Sequence, residues 1–311
     1  MIDITVIVPY FNEEKILPKT FELLVNQSHK PKTIIFINSN SNDNSYNLVN
    51  SLIIKYKGIS KILNYNTECK TPAAAKNFGI KKSVSKYIAF MDCDMFFEND
   101  WLFKQLNFIK KLNFPIILGQ VSLRGKNLID KISIIHTYGH NILRPCIPSS
   151  IIESNFFKTT GNLFEDYNAL YDQKWIKKNI KNGNAKINSD ISIRYLNIEY
   201  AKNLKELYKK VYYYSLPTIK IYGPINKDLL LFFVFIILLY FKPTYLIYLI
   251  LFYLFFRNIL LVLYKSKTMT IYKFINYRFD LLVLVSIIID IAKINGMVSG
   301  LLKKKITHYQ R

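Results

Sequence analysis

Two aspartates stand one residue apart in YIAFMDCDMF, Tyr87 to Phe96, directly behind a run of apolar and aromatic residues. Asp92 and Asp94 in such a strand ending cap a helix, open a loop, or hold a divalent metal against a phosphate. Carboxylate oxygens suit a hard cation, Mg2+ or Mn2+, whose remaining positions phosphate oxygens can fill. If the strand simply continues, side-chain alternation turns both carboxylates to one face. His136 and His140, in IIHTYGHN, have the i, i+4 spacing of a helical metal pair. Gly139 lies between them and no third ligand is evident, so they read as ordinary surface or acceptor-loop histidines. Cys69, Cys93 and Cys146 are far apart and odd in number, which argues against a disulfide framework or a zinc site and fits a reducing, cytosolic domain.

The elements that must position these residues alternate in type. ITVIV (residues 4 to 8) is a β-branched run ended by Pro9, the pattern of a buried parallel strand. EEKILPKTFELLVNQ then has helical spacing, with Asn12 as its N-cap and Glu13 and Glu14 in the first turn. A strand at KTIIFIN, a loop NSNSNDNS, a helix SYNLVNSLIIKY, a short strand around Lys61 to Leu63, a helix TPAAAKNFGIKKS and a strand YIAFM follow. This alternation predicts an α/β fold, a Rossmann-like, mostly parallel sheet with helices on both faces. Ligands of such sheets bind at the carboxyl ends of the strands, where Pro9, Asn38 and Asp92 all fall. Beyond, WLFKQLNFIKKL reads as a helix and FPIILGQVSL as a strand, with a less regular region reaching Phe157. GNLFEDYNALYDQKWIKKNIKNG reads as a loop opening a helix, AKINSDISIRYLN as a closing strand, and NLKELYKKVYYYS as a basic, aromatic helix.

From Leu229 onward the chain is mostly Leu, Ile, Phe, Tyr and Val. We therefore divide it into a catalytic domain, 1–220, and a membrane-associated region, 221–311, with helices near 229–241, 244–264 and 281–302. The first is too short to cross a bilayer unaided; the second is long enough but carries Arg257; the third contains Asp290, Lys293 and two glycines. Lysines before the first segment, between the second and third and at the end all favour the cytoplasmic side, which a hairpin of the first two satisfies with the third interfacial or re-entrant. The N-terminus, MIDITVIVPYF, runs straight into a strand and has no signal-peptide pattern. The net charge of +22 points to polyanionic partners, but the lysines are scattered and no nucleic-acid module is recognisable. An anionic membrane surface fits better than nucleic acid.

Four segments in order carry a resemblance. IVPYFNEEKILPKTFELLVNQSHKPKTIIFINSNSNDNS resembles the opening of family 2 glycosyltransferases, AAAKNFGI their A-R-N-x-G-I helix, YIAFMDCD their Y-I-x-F-L-D-x-D strand, and GNLFEDYNALYDQKWIKKNIKNGNAKI their later E-D segment. The resemblance covers roughly residues 4 to 198 and implies the A-type glycosyltransferase fold. It implies Pro9, Phe11 and Glu13 bordering the nucleotide, with Asp92 at the ribose or a water, Asp94 on the metal, and both as the metal anchor. Strand termination is the alternative for Pro9, and helix capping for Glu13. Asn38 and Ser39 replace the family's acidic pair; a neutral Asn still hydrogen-bonds a base or ribose. Asp43 matches a later loop acid or caps the next helix. Lys76 would reach the diphosphate as a point charge, or else is a solvated lysine. Asp166, supported by Glu165, would be the base that takes the acceptor's proton, or both acids simply begin a helix.

The function so implied is a metal-dependent, inverting transferase that moves a sugar from a nucleotide-diphospho sugar to a membrane-held acceptor. That acceptor is a polyprenyl phosphate or lipid-linked saccharide of surface polysaccharide or glycoconjugate synthesis, with the catalytic domain facing the cytoplasm. The competing reading is a non-catalytic, membrane-tethered subunit that binds a nucleotide sugar for a partner transferase.

Overall fold

The computed structural model describes residues 2–163, 165, 170–195, 200–223, 237, 240, 246–266 and 278–302. Contacts divide the chain into two compact units, residues 1–122 with 143–198, and residues 123–142 with 199–311. The segment between the sixth and seventh strands and the basic aromatic helix cluster with the C-terminal helices.

The first unit opens with β1 (Ile2–Tyr10), α1 (Leu17–Val25), β2 (Pro31–Asn38), α2 (Ser45–Lys55), β3 (Lys61–Asn66), α3 (Pro72–Lys82) and β4 (Tyr87–Phe90). Then come β5 (Met95–Phe96), α4 (Trp101–Leu112) and β6 (Ile116–Ser122), and, after α5 (Leu128–Thr137) of the second unit, β7 (Arg144–Glu153), α6 (Ser154–Thr160), α7 (Tyr171–Lys181) and β8 (Ala185–Tyr195). The strands form one eight-stranded mixed α/β sheet ordered β3-β2-β1-β4-β7-β6-β8-β5. β3, β2, β1 and β4 are parallel; β7 runs antiparallel to β4 and β6. Alternation along β1 sorts its side chains between two cores. Ile4, Val6 and Val8 pack with Phe21, Leu24, Val49 and Leu102 of α1, α2 and α4. Ile7, with Ile37 and Phe90, packs with Ala75, Phe157 and Trp175 of α3, α6 and α7. Helices therefore cover both faces, as the alternating sequence predicts.

Several details differ from the sequence expectation. Pro9 lies inside β1, paired with Ile37, instead of ending it. Asn12 does not cap α1, which starts at Leu17 after the N-cap Ile16. It takes a left-handed conformation, φ 55°, which Asn adopts more easily than most residues. The region expected to be irregular holds α5, β7 and α6.

The second unit contains α5, α8 (Leu204–Ser215), α9 (Thr218–Tyr222), α10 (Leu246–Phe255), a π-helical turn (Phe256–Leu260), α11 (Leu261–Lys265) and α12 (Phe279–Leu302). The expected helix near 229–241 falls almost wholly outside the described residues, as do Lys267, Lys273 and Lys303 to Lys305 of the topology argument. Two helices, Ile247–Lys265 and Phe279–Leu302, are long and apolar enough to cross a membrane. The second is an unbroken 24 residues, about 36 Å at helical rise. Its seam Leu282, Val285, Ile289 and Ala292 packs on Ile132 and Ile134 of α5 and on Leu207 and Val211 of α8. Gly296 and Gly300 continue that seam, where an added Cβ would lie 2.4 Å from the Tyr212 carbonyl oxygen and 2.1 Å from that of Leu216. Leu284, Ile291, Val298 and Leu301 on its other side are exposed.

Two of the charges that interrupt these apolar segments, Arg257 and Asp290, neutralise one another. Arg257, on the π turn, donates from Nε to Asp290 Oδ2 at 2.6 Å and from Nη2 to Oδ1 at 2.9 Å. Its Nη1 lies 3.0 Å from His136 Nδ1, which leaves Nε2 to donate to the Leu282 carbonyl at 3.1 Å. Tyr253 donates to Asp290 Oδ2 at 2.8 Å. His136 is thus fully buried, not at the surface, because it completes an ion pair that bare burial would make costly. His140 lies beyond the end of α5 and donates its backbone N–H to Ser266 Oγ, so the two histidines form no helical pair.

Candidate functional site

Register sets the polar residues of the first unit along one edge. Pro9 pairs with Ile37, Tyr10 with Asn38, Asn38 with Asn66, and Ile7 with Phe90. The carboxyl ends of β1, β2 and β3 are therefore level, whereas β4 stops at Phe90 opposite Ile7, three residues short of the end of β1, and Asp92 follows it by two residues. The chain does not continue as a strand there. After Phe90 the Met91 N–H still reaches the Ile7 carbonyl, then residues 93 and 94 turn before β5. The Thr20 hydroxyl of α1 donates to the Cys93 carbonyl and pins the turn. Alternation no longer applies, and the expected shared face of the two carboxylates is replaced by unequal burial: the Asp92 side chain is 32% exposed and Asp94 5%.

The loops after β1 and β2 are laced together. The Asn12 N–H donates to Ser41 Oγ, the Asn42 N–H to Asn12 Oδ1, the Glu13 N–H to Ser45 Oγ and the Asn44 N–H to Glu14 Oε2. Asp43 accepts from the N–H groups of Ser45 and Glu14, so it both opens α2 and ties the loops. Burial raises the Asp43 carboxyl, but these hydrogen bonds outweigh it and hold the group below the usual range. Asn38 is buried, its amide donating to Asn66 Oδ1 at 2.8 Å and its oxygen accepting from the Ser41 N–H and hydroxyl. Ser39 follows, its N–H on the Tyr10 carbonyl. Phe11 and Pro9 are half-buried on the same edge.

Helix α3 joins the two acidic motifs. Thr71 caps it, accepting from the Ala74 N–H at 3.0 Å while donating to the Glu165 carbonyl at 3.2 Å. Lys76 is completely buried, with Nζ 2.7 Å from Asp92 Oδ1 and donating to the Tyr171 hydroxyl at 3.2 Å. Lys76 is thus an inward cation and not the solvated lysine that was the alternative, because a buried ammonium must be paired. Burial alone would lower the Lys76 ammonium; the Asp92 carboxylate reverses this and raises it. Asn77 brackets Leu163, its amide on the Leu163 carbonyl and its oxygen on the Leu163 N–H, and donates to Glu165 Oε1 at 2.6 Å. Gly79 completes the motif: an added Cβ would meet Ile7 Cγ2 at 2.6 Å, so only glycine lets α3 lie this close to the sheet. Asp166, the expected base, lies outside the described residues.

Tyr171 and Asp172, at the start of α7, were not predicted from the sequence. Burial pushes the Tyr171 hydroxyl up to about 12 against the opposing effect of Lys76. Burial also raises the Asp172 carboxyl, with Lys76 again opposing. Their signal was faint: two polar residues in an otherwise ordinary amphipathic helix.

For a metal, no group of three or more His, Cys, Asp or Glu side chains is gathered among the described residues. Asp92 and Asp94 supply an incomplete, all-oxygen set, which fits a hard cation whose other ligands are water and phosphate oxygens.

Comparison with known proteins adds four similarities. The family Glycosyl transferase family 2 matches residues 5–180. An uncharacterized glycosyltransferase of Haemophilus influenzae is 38% identical over 106 residues, 34% of this chain and 42% of its own length, so the chain spans less than half of that relative. The poly(ribitol-phosphate) beta-N-acetylglucosaminyltransferase TarP of Staphylococcus aureus is 27% identical over 241 residues, 67% of this chain and 72% of TarP. In fold, the Pyrobaculum calidifontis mannosyltransferase PcManGT, solved with GDP-Man and Mn2+, superposes with a TM-score of 0.57 at 13% identity, covering 97% of this chain and 88% of its own.

Proposed function

The chain belongs to glycosyltransferase family 2, and from that premise we propose that it transfers a sugar from a nucleotide-diphospho sugar to a membrane-held acceptor. The observation that carries this is α3 binding both acidic motifs, Asp92 through Lys76 and Glu165 through Asn77, at the carboxyl edge of the parallel strands of the sheet. At that edge Pro9, Phe11, Glu13, Asn38 and Ser39 line the donor nucleotide. Asp94, with Asp92, holds Mg2+ or Mn2+, which when bound neutralises charge on the departing diphosphate.

The displacement is inverting. The acceptor oxygen attacks the anomeric carbon opposite the diphosphate, its new C–O bond forming as the bond to the β-phosphate oxygen breaks. An acceptor hydroxyl gives its proton to Asp166, whose neighbour in sequence, Glu165, accepts a hydrogen bond from Asn77. An ionised polyprenyl phosphate needs no such base. TarP's poly(ribitol-phosphate) acceptor, the surplus of lysine and the two long apolar helices together support a polyanionic or lipid-linked acceptor, with the helices spanning the bilayer and the catalytic domain cytoplasmic.

The test is donor hydrolysis and transfer by detergent-solubilised protein across UDP- and GDP-sugars, with Mn2+ or with EDTA. Metal-dependent release of nucleotide from one donor is expected; none from any donor overturns the reading. The neutral, internally bonded Asn38 favours one alternative, a non-catalytic subunit that binds a nucleotide sugar for a partner. Metal-dependent binding without turnover would select it.

A further inference from the structure

We propose that Lys76 is a positioning residue, which acts on the donor through Asp92 and does not itself touch the diphosphate. This rests on the reading of the carboxyl edge as the donor site. Lys76 sits in the middle of α3, fully buried, with its ammonium 2.7 Å from Asp92 Oδ1 and 3.2 Å from the Tyr171 hydroxyl. The ammonium also lies 5.8 Å from the centroid of the Tyr171 ring.

A lysine on the surface has a long, mobile stem and can follow a phosphate. This one has neither the exposure nor the freedom to do so. Swinging out would leave Asp92 Oδ1, which is itself buried, without its cation, an arrangement more costly than either state of a solvated pair. The 32% exposure that the Asp92 side chain retains lies away from Oδ1, so the ion pair fixes which side of the carboxylate faces outward. Asp92 needs this constraint because no strand holds it: β4 has ended at Phe90, and the turn that follows is pinned at Cys93. Lys76 thereby replaces the missing ladder with a single inward ion pair, and Tyr171 holds the lysine from the other side.

The test is a double-mutant cycle on the full chain with Lys76→Met, Asp92→Asn and the two combined, reading the dissociation constants of UDP and GDP in Mn2+ by calorimetry. Lys76→Met is expected to weaken the better nucleotide about tenfold in the native background and to add little once Asp92 is Asn, since residues acting as one unit are not additive. Equal, additive losses in both backgrounds would assign Lys76 to direct phosphate contact and overturn the proposal. A purely structural lysine would lower the melting temperature and leave nucleotide affinity unchanged, which overturns it as well. If Lys76→Met shows no melting transition, Lys76→Arg serves in its place and should weaken binding only where Asp92 is intact. A native protein that binds neither nucleotide would instead sink the donor-site reading, and the role of Lys76 with it.

Discussion

Asn77 does more for the site than its neutral amide suggests. It satisfies both backbone groups of Leu163 and holds Glu165 at 2.6 Å. Asn77→Ala should lower stability by about 1–3 kcal/mol, the cost of stranding buried polar groups, and should reduce turnover more than donor affinity. Asp172 offers a test by pH. Its native carboxyl is raised above the ordinary 3.8, so between those values the native state binds more protons than the unfolded one, and the group's contribution falls as pH rises. Asp172→Asn should therefore gain on the native protein in melting temperature from pH 4 toward neutrality. A constant difference across that range would show that Asp172 does not titrate in this way. The sequence revealed Asp92 and Asp94 because a run of apolar residues ended on them. It concealed the unequal burial of the pair and the inward course of Lys76, since both depend on where β4 stops and on Tyr171, ninety-five positions away.

Helix α3 and its motif were legible because each position has a local signature: Thr71 and Pro72 for a helix start, then Ala, Lys, Asn and Gly. What each residue touches was not. Gly79→Val should cost about 1–3 kcal/mol by forcing α3 off Ile7 and Ile37, and should impair activity through both acidic motifs together. Strand β7 was missed for a physical reason. Its Pro145 and Pro148 mimic a loop; Pro148 falls in the break of register with β6 between Ile117 and Gly119, while Pro145 pairs with Gln120 near the start of the strand. Helix α5 was missed because its buried residues Ile132, Ile134 and His136 face partners far along the chain. Those partners make Arg257 testable. Arg257→Asp or Asp290→Arg alone should destabilise by roughly 3 kcal/mol, and the double reversal should recover part of the loss in melting temperature. Additive losses would show that the pair does not interact.

Taken whole, the chain interleaves its two units: α5 leaves the sheet unit between β6 and β7 and packs with helices from the C-terminal part. The change in composition beyond 220 was legible in the sequence, whereas the packing of α5 and α8 on α12 is a matter of tertiary contact. Removing residues 224–311 should therefore not yield a well-behaved soluble enzyme. It would bare Ile132, Ile134, Leu207 and Val211, and the shortened chain should aggregate. A monodisperse, active shortened chain would mean that the C-terminal helices act only as an anchor.

The most direct measurement follows labelled sugar in membranes containing the full chain. Incubation with the donor selected from the nucleotide-sugar panel and Mn2+ should move label into lipid- or polymer-bound product, and Asp94→Ala should abolish that transfer while the protein remains folded and membrane-bound. Undiminished transfer by Asp94→Ala would contradict the account, as would a native protein that moves no label from any donor.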